Sequence, residues 1–214
     1  MRRRIIGSGN AIRGGVSPGV AGNGVYVYGG DFLLYTNDTW NTKWNDQALG
    51  IALITSKCRL VISKGGTESL HWGVYGKRIS GCTTTPNSSI ATSDFKGYEN
   101  TTAIIDETGS LMSNYAAKYC RSQSLPNGQR GYLAASGEWS QCVRNKYMID
   151  IMMGIINGEP IQTGIAPGDD QNWHHASTQY DENGNWGCSW GQGQDYSNWI
   201  KNKYRWTRPF FRLV

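Results

Sequence analysis

The chain has 214 residues, 28 of them Gly, with 12% aromatic and 17% charged residues and a formal net charge of +5. That balance suits one large or two small β-rich, loop-rich domains and excludes a disordered chain, and no apolar run reaches the length of a membrane span. The charge sits mainly at the two ends, in Arg2, Arg3, Arg4 and Arg13 and then in Lys201, Lys203, Arg205, Arg208 and Arg212. Basic residues beside aromatics can serve single-stranded nucleic acid, but nearby carboxylates and the lack of a nucleic-acid module argue for no such partner.

Met1-Arg-Arg-Arg-Ile-Ile-Gly resembles the charged start of a signal peptide, yet no apolar core of suitable length follows, so export by that route is not expected. Cys58, Cys82, Cys120, Cys142 and Cys188 are odd in number, irregularly spaced and without a CxxC. Reduced thiols in a chain folded in the cytoplasm are the expectation.

In chain order, 1–23 is Gly-rich around Ser17-Pro18-Gly19 and reads as a flexible or partner-ordered arm. A β-rich part, 24–95, follows. Val25-Tyr26-Val27-Tyr28 alternates and ends in Gly29-Gly30, with Phe32–Tyr35 as its hairpin partner. Ala48–Thr55 and Cys58–Ser63 form a second hairpin about Ser56-Lys57. His71–Ile79 is expected to add a strand carrying Trp72 and Tyr75, and 81–93 is a Ser/Thr/Pro/Asn connector.

The helical part opens the last region, 96–214. Apolar residues recur at near-helical spacing from 100 to 121, interrupted at Gly109, with Thr108 or Ser110 available to cap a second helix. Leu125-Pro126-Asn127-Gly128 is a turn. Ser136-Gly137-Glu138 opens a helix to about Ile156, striped by Trp139, Cys142, Tyr147, Ile151, Met152 and Ile155 and closed by Asn157-Gly158. Strands, then helices, then short strands and long loops make an α+β plan.

The tail, 171–214, carries Trp173, Trp186, Trp190, Trp199 and Trp206 among Asn, Asp, Gln, Gly, Ser and Tyr, with little aliphatic filler. Rigid aromatic rings interleaved with small polar groups are the composition of a binding surface. A loop-rich β surface with buried Trp accounts for the same composition.

Three stretches carry a resemblance: "LPNGQRGYLAASGEW" (Leu125–Trp139), "WHHASTQY" (Trp173–Tyr180) and "RWTRPFFRLV" (Arg205–Val214). Together they resemble the C-type lectin-like fold, two helices packed on short antiparallel sheets with long loops. In particular they resemble variable proteins of diversity-generating retroelements from phages and gut bacteria, relatives of the phage major tropism determinant. The resemblance covers roughly the last 115 residues. It implies a hypervariable, non-enzymatic ligand-binding protein, a phage receptor-binding tip or displayed adhesin on a virion (phage tail) or bacterial cell surface. The implied partner is a cell-surface protein or glycan, with no cofactor and no metal, and a homo-oligomer such as a trimer is an option.

Variation in that family acts on adenines, so AAC codons reach Asn, Tyr, His, Asp, Ser and similar residues but not Trp, Lys, Gln, Glu or Met. On that reasoning the ligand-binding set is Asn172, His174, His175, Tyr180, Asp181, Asn183, Asn185, Asp195, Tyr196, Ser197, Asn198, Asn202 and Tyr204. Trp173, Trp186, Trp190 and Trp206, with Trp199, are then scaffold. Ordinary loops favour Asn, Asp, Ser and Gly as well.

Rival chemistries find less footing. Trp44-Asn45-Asp46 copies a calcium triplet of sugar-binding lectins but has no partner motif and lies upstream, and Asp169-Asp170 has no spaced companions. His174 and His175 are adjacent in a strand and point to opposite faces, so a lone surface His is expected there. "WGCSWGQG" (Trp186–Gly193) faintly resembles a strand of formylglycine-generating enzymes, but Cys188 stands alone in the tail. A structural subunit of a phage tail or surface fibre is the main alternative to receptor binding.

Overall fold

The computed structural model describes residues 14–168, 172–193 and 198–214, and for Asn198 and Trp199 the backbone only. The first thirteen residues of the expected arm, the Asp169-Asp170 pair, and Asp195, Tyr196 and Ser197 lie outside the described residues.

The architecture is α+β, with two sheets that are antiparallel except where β10 runs parallel to β7, and few helices. Gly24–Gly29 (β1) and Leu34–Tyr35 (β2) form the first hairpin, and Ala48–Ile54 (β3) with Arg59–Ser63 (β4) the second. Glu68–Leu70 (β5) follows. The helices are Ser88–Ala91 (α1), Gly97–Thr108 (α2) and Ala116–Ser122 (α3), and after Tyr132–Leu133 (β6) come Ser136–Arg144 (α4) and Lys146–Ile155 (α5). The tail supplies His174–Gln179 (β7), Gly184–Cys188 (β8), Asn198–Ile200 (β9), Arg205–Thr207 (β10) and Pro209–Arg212 (β11).

These strands form a six-stranded sheet, β2-β1-β3-β4-β11-β6, and a five-stranded sheet, β5-β10-β7-β8-β9. Each sheet takes strands from both sides of residue 95: Phe210 pairs with Ile62, and Trp206 with Ser69. The last strand therefore lies inside the larger sheet, between β4 and the edge strand β6. Its Phe210 meets Trp139 of α4 edge-on, with ring centroids 4.9 Å apart. One apolar core runs from β3 and β4 (Ile51, Leu53, Leu60, Ile62) through α4 and α5 (Trp139, Ile149, Met152, Met153) to Ala176, Trp186 and Trp190 of the smaller sheet's region. A second core gathers Trp72, Ile104, Tyr115 and Cys120 around α2 and α3.

Several expectations are corrected by tertiary contacts. Part of the expected arm is docked, since Val16 exchanges two main-chain hydrogen bonds with Leu34, of 2.9 and 2.8 Å, and Pro18–Val20 make a 3-10 turn. No strand spans 71–79; the strand lies earlier, at Glu68–Leu70, because β10 pairs there, and Trp72 turns inward to donate its Nε1–H to Ala176 O at 2.8 Å. The 100–121 stretch breaks at Gly109, at φ +50°, as its spacing implies, but neither Thr108 nor Ser110 caps α3; Tyr115 holds that position without a side-chain bond. The helix expected from 136 to 156 is two helices meeting at Asn145, whose amide donates to Gln141 O at 2.8 Å. Asn157, at φ +51°, ends α5 in the left-handed conformation Asn tolerates.

The Ser136-Gly137-Glu138-Trp139 motif has a structural account. Ser136 N–H donates to Thr178 Oγ1 (2.9 Å), Gly137 N–H to Asp94 O (2.9 Å) and Trp139 Nε1–H to His175 O (3.2 Å). Glu138 accepts from Ala135 N–H (2.7 Å) and the Tyr132 hydroxyl (2.9 Å). A Cβ on Gly137 would run into the carbonyl of Asp94, so Gly is required at this close approach. The motif joins α4 to β6, β7 and the start of α2. Arg208, buried just before β11, similarly gathers Ser63 O, Thr67 Oγ1 and Glu159 O.

Candidate functional site

The strands β7 and β8 are rich in polar residues, and every residue of both is buried in the fold. His174 and His175 are 0% and 1% exposed, and Asn185 is 0% exposed. This corrects the expectation that these three face solvent. His175 Nε2 donates to Leu70 O at 3.0 Å, which leaves Nδ1 to accept from Asn185 Nδ2 at 3.2 Å. His174 lies against the Trp139 ring, 5.1 Å between centroids. Burial pulls both imidazole pKa values down to about 3, so each ring is neutral at physiological pH. Buried pairing of polar groups stands in for apolar filler here, and composition alone does not separate that from a binding surface.

Trp173, Trp186 and Trp190 are buried, whereas Trp206 is half-buried and donates its Nε1–H to Gly164 O at 2.7 Å. Trp186 donates to Thr85 O and Trp190 to Asp150 Oδ1, each at 2.8 Å. Tyr180 is half-buried with its ring edge-on to Trp186, 5.5 Å away. Asn172, also half-buried, donates to Thr163 O at 3.3 Å and accepts from Ser189 Oγ at 3.4 Å. It stands near a depression of about 240 Å³ lined by Asp150, Met153, Ile161, Thr163 and Trp190.

Exposure returns at the turns. The β7–β8 turn presents Glu182 and Asn183, and the β9–β10 turn presents Asn202, Lys203 and Tyr204. Asp181 is half-buried, and its carboxylate accepts from Asn183 N–H (2.8 Å) and Gly184 N–H (2.6 Å), which closes the first turn. Tyr204 leans on His71, 4.1 Å between ring centroids. The two turns touch through Lys201 N–H, which donates to Asn183 O at 2.9 Å.

Lys201 is the residue that sequence reasoning misses, since in the sequence it stands only among the basic residues of the C-terminal end. Its side chain is fully buried. Nζ donates to Gln179 Oε1 (2.7 Å), Lys77 O (2.8 Å) and Glu182 O (3.0 Å), and lies 4.7 Å from the centre of the Trp72 ring. Burial lowers its pKa to about 8, against the opposing pull of the nearby Cys82, Asp181 and Glu182 groups. Loop 71–84 thereby joins the two turns. Beside them opens a depression of about 450 Å³ lined by Arg78, Ile79, Ser80, Gly81, Cys82 and Thr84. Its floor is tied to the same cluster, as Gln179 accepts from Ile79 N–H (3.0 Å) and donates to Thr84 Oγ1 (2.8 Å).

Among the described residues, no group of three or more His, Cys, Asp or Glu is placed to hold a metal ion, and no helix is long and apolar enough to cross a membrane. The five Cys are free thiols; burial pushes Cys58 up to about 11 and Cys82 up to about 12. Asn45 of the Trp-Asn-Asp triplet is buried, accepting from Trp40 Nε1 at 2.9 Å and donating to Ile155 O at 2.8 Å. It is a scaffold residue.

No protein-family model matches the chain, and no curated protein matches it. Among solved structures, a fimbrial protein from Bacteroides ovatus ATCC 8483 is similar in fold, with a TM-score of 0.56 at 13% identity. The match covers 90% of this chain and 49% of that one, so the chain spans about half the length of that protein. At this identity the likeness concerns the fold alone.

Proposed function

We propose that this chain is a displayed recognition module that binds a cell-surface protein or glycan through the turns and depression around Lys201. The observation that carries the reading is a division in the tail: β7 and β8 are entirely buried, while the turn between them exposes Glu182 and Asn183 and meets the exposed β9–β10 turn. A rigid base with projecting polar and aromatic side chains supplies contact area and hydrogen bonds at small ordering cost. Recognition needs no chemistry here, and we assign no catalytic residue and no cofactor. The buried Glu138, Asp94 and His175, which could suggest acid–base work, are each engaged in joining α4, β6, β7 and β8.

The finer reading is a hypervariable C-type lectin-like protein of a diversity-generating retroelement, carried on a phage tail or bacterial surface. Its support is the motif resemblance and the exposure of Asn183, Asn202 and Tyr204. The set is narrower than composition implied, because His174, His175 and Asn185 belong to the core. A structural subunit of a surface fibre is the second reading, favoured by the fold shared with a fimbrial protein.

The test is binding of fluorescently labelled protein to a panel of intact gut bacteria, read by flow cytometry, beside the variant E182A/N183A/N202A/K203A. Labelling that the variant loses supports recognition by these turns. Equal labelling by both proteins places the site elsewhere, and concentration-dependent self-assembly without cell binding favours the fibre subunit. The finer reading requires a second copy of the codons for 172–206 near a reverse transcriptase gene, differing at adenines.

A further inference from the structure

We infer that Lys201 fixes the shape of both exposed turns through main-chain contacts, leaving Glu182, Asn183, Asn202 and Lys203 as positions whose side chains set specificity without setting the fold. Lys201 makes five polar contacts in this cluster: Nζ to Lys77 O, Glu182 O and Gln179 Oε1, its own N–H to Asn183 O, and its carbonyl from Trp72 N–H at 3.1 Å. Four of the five reach backbone atoms, and the fifth reaches the buried Gln179. None reaches a side chain of either turn.

The consequence is chemical. A carbonyl stays in place whatever side chain its residue carries, so a turn held by its carbonyls tolerates replacement of the groups that project from it. A turn held by its own side chains does not. Asp181 marks the boundary, because its carboxylate closes the first turn by accepting from Asn183 and Gly184 N–H. It is therefore a shape-setting position, although its residue type places it among the binding candidates. Tyr204 is intermediate, since its ring rests on His71. The four remaining positions are exposed.

The ammonium is suited to the task in a way an apolar side chain is not. It carries three N–H donors on one atom, and three acceptors from three separate segments surround it at 2.7 to 3.0 Å. The Trp72 ring beneath it, 4.7 Å from Nζ, contributes a cation–π contact in a site closed to water. Removal of Nζ leaves the carbonyls of Lys77 and Glu182 without this donor, so the turn is free to move away from loop 71–84.

This inference rests on the recognition reading only for the use made of the turns, and its test needs no ligand. Amide hydrogen exchange, read by NMR, is compared in the wild type, in E182A/N183A/N202A/K203A and in K201M. The fourfold variant is expected to keep its protection at residues 183, 184 and 201 within about twofold. K201M is expected to exchange at least roughly tenfold faster there, while core amides of β3 and β4 change much less. Loss of protection in the fourfold variant, or unchanged protection in a folded K201M, overturns the inference.

If K201M does not fold, the wild-type lysine ammonium signals decide. One slowly exchanging, protected ammonium is expected, and a full set in fast exchange overturns the assignment. Failure to bind any cell with these exchange results intact refutes the recognition reading and not the role of Lys201.

Discussion

The strands β7 and β8 and the turns beside them have nearly the same kind of sequence, yet opposite fates. His174, His175, Ser177, Thr178, Gln179 and Asn185 are buried, while Glu182, Asn183, Asn202 and Lys203 are exposed. The difference lies in partners. The strand residues find acceptors and donors in other segments: Leu70 O for His175, Asp94 for Thr178, and Lys201 and Thr84 for Gln179. Polarity in this tail thus marks two things, an internal hydrogen-bonded base and an external face, and only the three-dimensional pairing separates them.

The strongest way to break the comparison is to remove the aromatic residues that anchor the base. Trp186 and Trp190 are buried, with indole N–H groups satisfied by Thr85 O and Asp150. Trp186→Ala or Trp190→Ala is expected to cost about 3–5 kcal/mol, read as a large fall in urea midpoint or Tm. A change within half a kilocalorie would show that the base does not carry the fold.

Acid is the next probe of the base. His174 and His175 are held neutral in the fold, with pKa values near 3, against an ordinary value of 6.5. Below 6.5 the unfolded chain binds protons that the folded chain refuses, so stability is full above 6.5 and falls as pH drops toward 3. Glu138 acts in the opposite sense, because burial lifts its carboxyl from 4.5 to about 8. Its contribution is present below 4.5 and is lost as pH rises toward 8. A melting series from pH 4 to 8 should therefore show an acid limb that H175N weakens and an upper limb that E138Q weakens. An acid limb identical in H175N would remove His175 from the account.

Much of the scaffold was legible. The alternation of Val25–Tyr28 and the apolar runs of β3 and β4 specify hairpins locally, and Asn157-Gly158 announces the end of α5. What was not legible depends on distant partners. The strand expected at 71–79 lies at Glu68–Leu70 because β10 is there to pair with it. The break of the long helix at Asn145 is instead local, a side-chain amide taking the carbonyl of Gln141 four residues back, in a stretch whose apolar stripe continues past it. Of the candidate residues, Asn183, Asn202 and Tyr204, selected by residue type, are exposed. His174, His175 and Asn185 were chosen on the same ground and are core. Lys201 carried no local signal, since a lysine in a basic tail is ordinarily a solvated charge.

A smaller effect separates shape from contact within the first turn. Asp181→Ala removes the acceptor of two backbone N–H groups. A loss of about 1 kcal/mol is expected, comparable with a lost helix cap, together with faster exchange at Asn183 and Gly184. Asp181→Asn keeps an acceptor oxygen and should recover most of that loss. Equal effects of the two substitutions would mean that the carboxylate's charge, and not its acceptor geometry, closes the turn.

The smallest expected effect is the one that bears most directly on function. Asn183→Ala, Asn202→Ala and Lys203→Ala each remove an exposed side chain, and such substitutions usually stay within about 0.5 kcal/mol. Their main-chain bonds, including Asn183 O to Lys201 N–H and Lys203 N–H to Ile200 O, survive the change. Combined, they should leave Tm within a few degrees while altering cell labelling. The sites flank one cluster, so a sum of the single effects that misses the combined value measures coupling through Lys201. Additivity in stability with loss of binding places these residues on the external face alone. Marked non-additive destabilisation would show that the external face also supports the base, and the division between the two regions would fail.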